Sequence, residues 1–136
     1  MTGQGLTGQD PTGQDPIGQD PIGSLMLRVA GDAAQIATAR SFAGSVGRVL
    51  AMNEGQRHDL RLGVSEIATA AIRAGLSELQ FVVEFDSGAP VIRLDIEGDP
   101  PSIPSETSQL LGALFDKSEW SEAQPWLIRL VVDDGE

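Results

Sequence analysis

VSEIATAAIRAG, residues 64–75, sets a single acid, Glu66, among small and aliphatic residues and ends on a glycine. Val64, Ile67, Ala71 and Ile72 recur at the three- and four-residue spacing of one helix face, and Leu60 and Leu62 carry the pattern back to about Gln56. Gly75 supplies the stop, because a residue without Cβ readily takes the left-handed conformation that closes a helix. The reading predicts a helix over about residues 56–74. Glu66 is either a solvated residue, paired with Arg61 or Arg73, or a residue of a pocket.

On the N-terminal side, residues 25–30 alternate as a strand does. Asp32 then reads as the N-cap of a helix running to about Met52, with Ile36, Ala39, Phe42, Ala43, Val46, Val49 and Leu50 at helical spacing. Asn53 and Gly55 break it. On the C-terminal side, residues 79–85 are rich in β-formers, residues 86–89 (DSGA) make a turn, and residues 91–96 alternate Ile92, Leu94 and Ile96 against Arg93 and Asp95. The two runs predict a hairpin. After a Pro-rich loop over 98–104, Ser105 reads as the N-cap of a helix to about Lys117, burying Leu110, Leu111, Leu114 and Phe115, and residues 126–132 read as a last strand. The order strand, helix, helix, strand, strand, helix, strand predicts an α+β protein. Its form would be a two-layer α/β sandwich, with a mostly antiparallel sheet covered on one face by three helices.

The first 23 residues are different in kind. They repeat LTGQD, PTGQD, PIGQD, PIG with a period of five, and such Gly, Pro, Gln and Asp content buries too little apolar surface to offset the entropy of ordering. The expectation is a disordered tail over 1–23 and one domain over 24–136. The whole chain of 136 residues carries a net charge of -11, which argues against nucleic acid and against an anionic membrane surface as partners. With no cysteine there is neither a disulfide nor a thiolate metal site. No apolar run approaches the roughly 20 residues that span a bilayer, and the N-terminus lacks the basic and apolar regions of a signal peptide, so a cytoplasmic location is expected. His58, the sole histidine, and Ser45 and Ser65 have no visible catalytic partner, while Trp120 and Trp126 read as packing residues about a turn.

The element order, together with ARSFAGSVGRVL (39–50) and HDLRLGVSEIATAAIRAG (58–75), resembles the GHKL, or HATPase-type, domain of bacterial anti-sigma factors that are serine-protein kinases. In that family the second helix carries an acid and, four residues later, an asparagine. Residues so spaced share a helix face, so a carboxylate base and an oxygen ligand for Mg²⁺ act side by side. The resemblance puts Glu66 at the acid and matches Thr69, Ala71, Ile72, Arg73 and Gly75. It puts Ala70 at the asparagine and Ala74 at a histidine. A methyl group offers a metal no oxygen, so no metal ligand is assigned; any residual nucleotide contact is expected from Glu66, Thr69 and Arg73.

Two further family motifs are altered together with it. The Asp-x-Gly-x-Gly loop that reads adenine corresponds to LDIEGDPPSIP (94–104), where none of Asp95, Glu97 and Asp99 has the glycine two residues later and the adenine-reading position falls at Gly98. The glycine-rich lid corresponds to SETSQLLGALF (105–115), with Gly112 alone inside a helix and Glu106 in its first turn. The resemblance therefore implies a regulatory anti-sigma-like domain acting by protein–protein contact on a sigma factor or on the antagonist that displaces it, with its ATP and Mg²⁺ site degenerate and no cofactor. Two alternatives stay open. One is an active ATP-dependent serine/threonine-protein kinase, with ATP and Mg²⁺ as cofactors and Glu66 as catalytic base. The other is a dimerisation or scaffold module, in which Ala39, Ala43 and Gly47 would let helices of two copies approach.

Overall fold

The computed structural model describes residues 24–85 and 90–130. Strand β1 (Ser24–Ala30) leads through a short 3-10 turn (Ala33–Gln35) into α1 (Ile36–Val49) and α2 (Glu54–Arg73). There follow β2 (Glu78–Glu84), β3 (Val91–Leu94), α3 (Ser105–Leu114) and β4 (Leu127–Arg129). The four strands lie in the order β1-β2-β3-β4, every neighbour antiparallel. The described residues are thus α+β, an open four-stranded antiparallel sheet with three helices, compatible with the expected two-layer sandwich.

Alternation along the strands decides which side chains enter the core. Leu79, Phe81 and Val83 of β2, Ile92 and Leu94 of β3 and Ile128 of β4 join Ala39, Ala43 and Val46 of α1, Leu60, Val64, Ile67 and Ala71 of α2 and Leu111 of α3 in one cluster. Each fully buried Leu, Ile, Val or Phe is worth about 1.5–3 kcal/mol over exposure, enough in sum to hold the helices on the sheet. Gln80, Glu84 and Arg93 take the other face, where Arg93 reaches Glu84 at 3.1 Å and Asp95 at 3.3 Å.

Local chemistry explains where the elements begin. Asp32 does cap, but it caps the 3-10 turn: its carboxylate accepts from the Ala34 N–H at 3.0 Å, and the α-helix starts only at Ile36. Asn53 does more than end the first helix. It opens α2 with a capping box, its side chain accepting from the Gln56 N–H at 2.8 Å while the Gln56 side chain accepts from the Asn53 N–H at 3.0 Å. Gly55 therefore lies inside α2, and the left-handed residue of the connector is Ala51, at φ 58. Gly75 has φ 95, as its place at the end of α2 requires. Helix α3 is capped by Pro104 without a side-chain bond, so Ser105 is its first helical residue and not its cap, and the helix stops at Leu114.

The expected tail over 1–23, the turn over 86–89 and the acidic end at Asp133, Asp134 and Glu136 lie outside the described residues. Trp120 and Trp126 are both 7% exposed, and their indole N–H groups donate to the Pro125 carbonyl at 3.0 Å and the Pro101 carbonyl at 3.2 Å. Among the described residues, no helix is long and apolar enough to cross a membrane.

Candidate functional site

Helix α2 turns its residues between core and surface with a period that fixes the fate of every position in VSEIATAAIRAG. Ile67, Ala68, Ala70 and Ala71 are buried, while Glu66, Thr69 and Ile72 are half-buried and Arg73 is exposed. Ala70, the position where the resemblance places an oxygen ligand for magnesium, is 3% exposed and belongs to the hydrophobic core. Its methyl packs among apolar neighbours.

The three side chains expected at a nucleotide follow one another along α2 at three- and four-residue spacing. The Thr69 hydroxyl donates to the Ser65 carbonyl at 2.8 Å, a bond back along its own helix that occupies its proton. Ser65 does the same to the Leu62 carbonyl at 3.0 Å. Arg73 sits in the last turn of α2, where a cation suits the negative end of the helix. Glu66 forms no ion pair or side-chain hydrogen bond among the described residues, so neither Arg61 nor Arg73 neutralises it.

A cleft of about 430 Å³ lies where α2 hands over to β2 and where β3 ends. Gly75, Leu76, Ser77, Ile96 and Pro101 line it together with Glu78, Gln80, Asp95, Glu97 and Asp99. Glu66, Thr69 and Arg73 do not line it. Of its four carboxylates, Asp95 is paired with Arg93 at 3.3 Å and Glu78 with Arg28 at 3.9 Å, which leaves Glu97 and Asp99 to favour ammonium and guanidinium groups over phosphate. Among the described residues no set of His, Cys, Asp or Glu is placed to hold a metal ion. Sequence reasoning considered Asp95, Glu97 and Asp99 singly, as failed adenine readers; their convergence with Glu78 depends on the sheet register that sets Gln80 against Asp95, through Asp95 N–H to Gln80 carbonyl at 2.7 Å.

The start of α3 is committed in a similar way. Thr107 and Ser108 are buried, the Ser108 hydroxyl is bonded to the Glu122 carboxylate at 2.5 Å, and Glu106 occupies the first turn. An anion arriving at this helix end would meet two carboxylates. Gly98, at φ 76, has open space where a side chain would stand.

Compared with protein-family models and with curated protein sequences, the chain matches none.

Proposed function

We propose that this chain is a regulatory domain of the GHKL anti-sigma type that works by binding other proteins, its nucleotide and magnesium site having degenerated. The observation that carries the reading is the burial of Ala70 in the hydrophobic core, a methyl group where the resemblance calls for an oxygen ligand. The back-bonded Thr69, the acids at the start of α3 and the carboxylate-lined cleft support it, since each disfavours a triphosphate. Protein contacts need no metal, so the binding half of such a domain outlasts its chemistry. An acidic cleft and a net charge of -11 suit a partner with exposed Lys and Arg, as the DNA-contacting regions of a sigma factor have.

One observation favours the kinase reading. Glu66 is half-buried with no side-chain partner among the described residues, as a general base awaiting substrate would be. Calorimetric titration with ATP, with and without Mg²⁺, separates the two readings: the proposal expects no magnesium-dependent heat, and tight Mg–ATP binding would establish the kinase. Immobilised full-length protein should then retain a sigma factor, or its antagonist, from the cell of origin; retention of neither would remove the anti-sigma assignment.

A further inference from the structure

The acidic protein has a locally basic seam. Of its nine Lys and Arg residues, five, Arg40, Arg48, Arg57, Arg61 and Arg73, are on α1 and α2. Arg57 and Arg61 stand four apart on α2 and lie across glycines of α1. A Cβ on Gly47 would come 2.6 Å from Arg57 Cγ, and one on Gly44 would come 3.4 Å from Arg61 Cδ. Arg40 and Arg48, both exposed, flank Gly44 by four residues on either side and so share its strip of α1.

None of these four side chains forms an ion pair or hydrogen bond among the described residues, and the Arg57 Nε is buried without an acceptor. Local electrostatics disfavours the arrangement three times. Like charges at i and i+4 repel. Arg57 is near the N-terminus of α2, the positive end of its dipole. An enclosed guanidinium N–H without an acceptor loses hydration and gains nothing. All this occurs in a chain with 20 Asp and Glu available for pairing. A feature held against its local preference is where a functional constraint is expected.

We infer that the α1–α2 seam formed by Arg40, Arg48, Arg57 and Arg61 over Gly44 and Gly47 is a docking surface for an acidic segment of a partner protein. Complementarity of charge selects the occupant. Planar guanidiniums pair carboxylates bidentately, and two arginines already laid down on a glycine-lined surface lose less side-chain freedom on binding than mobile ones. Nucleic acid is disfavoured because its charge extends beyond the seam into the field of the acidic remainder. The inference does not depend on the anti-sigma reading and concerns a surface separate from the carboxylate cleft.

Fluorescence anisotropy of a labelled, helix-forming peptide of repeating Glu and Ala tests it on the full chain, with the matching Gln and Ala peptide as control. The acidic peptide should bind at low salt and the control should not. The pair Arg57→Gln and Arg61→Gln, which keeps the stems over the glycines, should weaken binding about tenfold. Arg40→Gln with Arg48→Gln, at exposed positions that leave folding intact, should weaken it as well. Unchanged binding in both double variants, or no binding of the acidic peptide, overturns the inference. So does stronger binding to a DNA duplex than to the peptide. A gain of about tenfold on replacing Asp10, Asp15 and Asp20 by Asn overturns it in favour of the chain's own N-terminal acids as the occupant.

Discussion

A Cβ on Gly63 would lie 2.6 Å from Cε2 of Phe115: the ring that ends α3 rests on bare backbone in the middle of α2. The contact joins two elements that are far apart in sequence, and the same hypothetical Cβ would come 3.4 Å from Ile128 of β4. Gly63→Ala should therefore destabilise the fold by about 1–3 kcal/mol, although alanine is the better helix former. Urea unfolding measures it, and adding Phe115→Leu should recover part of the loss. An unchanged or raised midpoint in Gly63→Ala alone would show that the ring yields without cost.

The Asn53–Gln56 capping box makes a second prediction. Asn53→Ala leaves the Gln56 N–H without its acceptor and should cost about 1 kcal/mol, with the m-value unchanged.

Ala70→Asn tests the degenerate site directly. The substitution restores the amide that the resemblance calls for, but at a position 3% exposed. It should lower stability by about 1–3 kcal/mol through burial of unpaired polar atoms and should confer no magnesium-dependent ATP binding. Calorimetry that detects Mg–ATP in this variant would mean that α2 has a cleft beside it after all.

A fourth prediction concerns pH. The carboxylate of Asp116 accepts from both the hydroxyl and the N–H of Ser118, which lowers its pKa below the ordinary value of 3.8. Because the folded value lies below the unfolded one, the stabilisation is present above the unfolded pKa and is lost as pH falls through the folded one. An NMR titration of the Asp116 carboxyl carbon should show a depressed midpoint that rises in Ser118→Ala.

Much of the architecture was legible because it rests on local periodicity. Leu79, Phe81 and Val83 alternate, α2 repeats at helical spacing, and Gly75 ends it in the left-handed conformation that its lack of Cβ suggested. Boundaries were less legible where two residues compete for one role. Asn53 and Gly55 together look like a break, yet Asn53 starts α2 and Gly55 enters it. Ser105 resembles a cap, but Pro104, with extended backbone, takes the cap position and Ser105 is the first helical residue. The small residues Ala39, Ala43 and Gly47 looked suited to a second copy's helix; the two alanines are 0% exposed in this chain's own core and Gly47 lies beneath Arg57. The carboxylate cleft and the arginine seam escaped sequence reading because each is assembled across elements. Only the register of β2 with β3, and the packing of α1 on α2, bring their members together.

The pairing of β1 with β2 has a kinetic consequence. Ala30 meets Glu78 only after both helices between them have been traversed, whereas the β2–β3 partners Glu84 and Val91 are close in sequence. Closing the longer loop is entropically slower unless α1 and α2 have already folded back on each other and brought its ends close. The helical hairpin and the β2–β3 hairpin should thus be in place at the rate-limiting barrier, with β1 zipping on last and peeling off first when the protein unfolds.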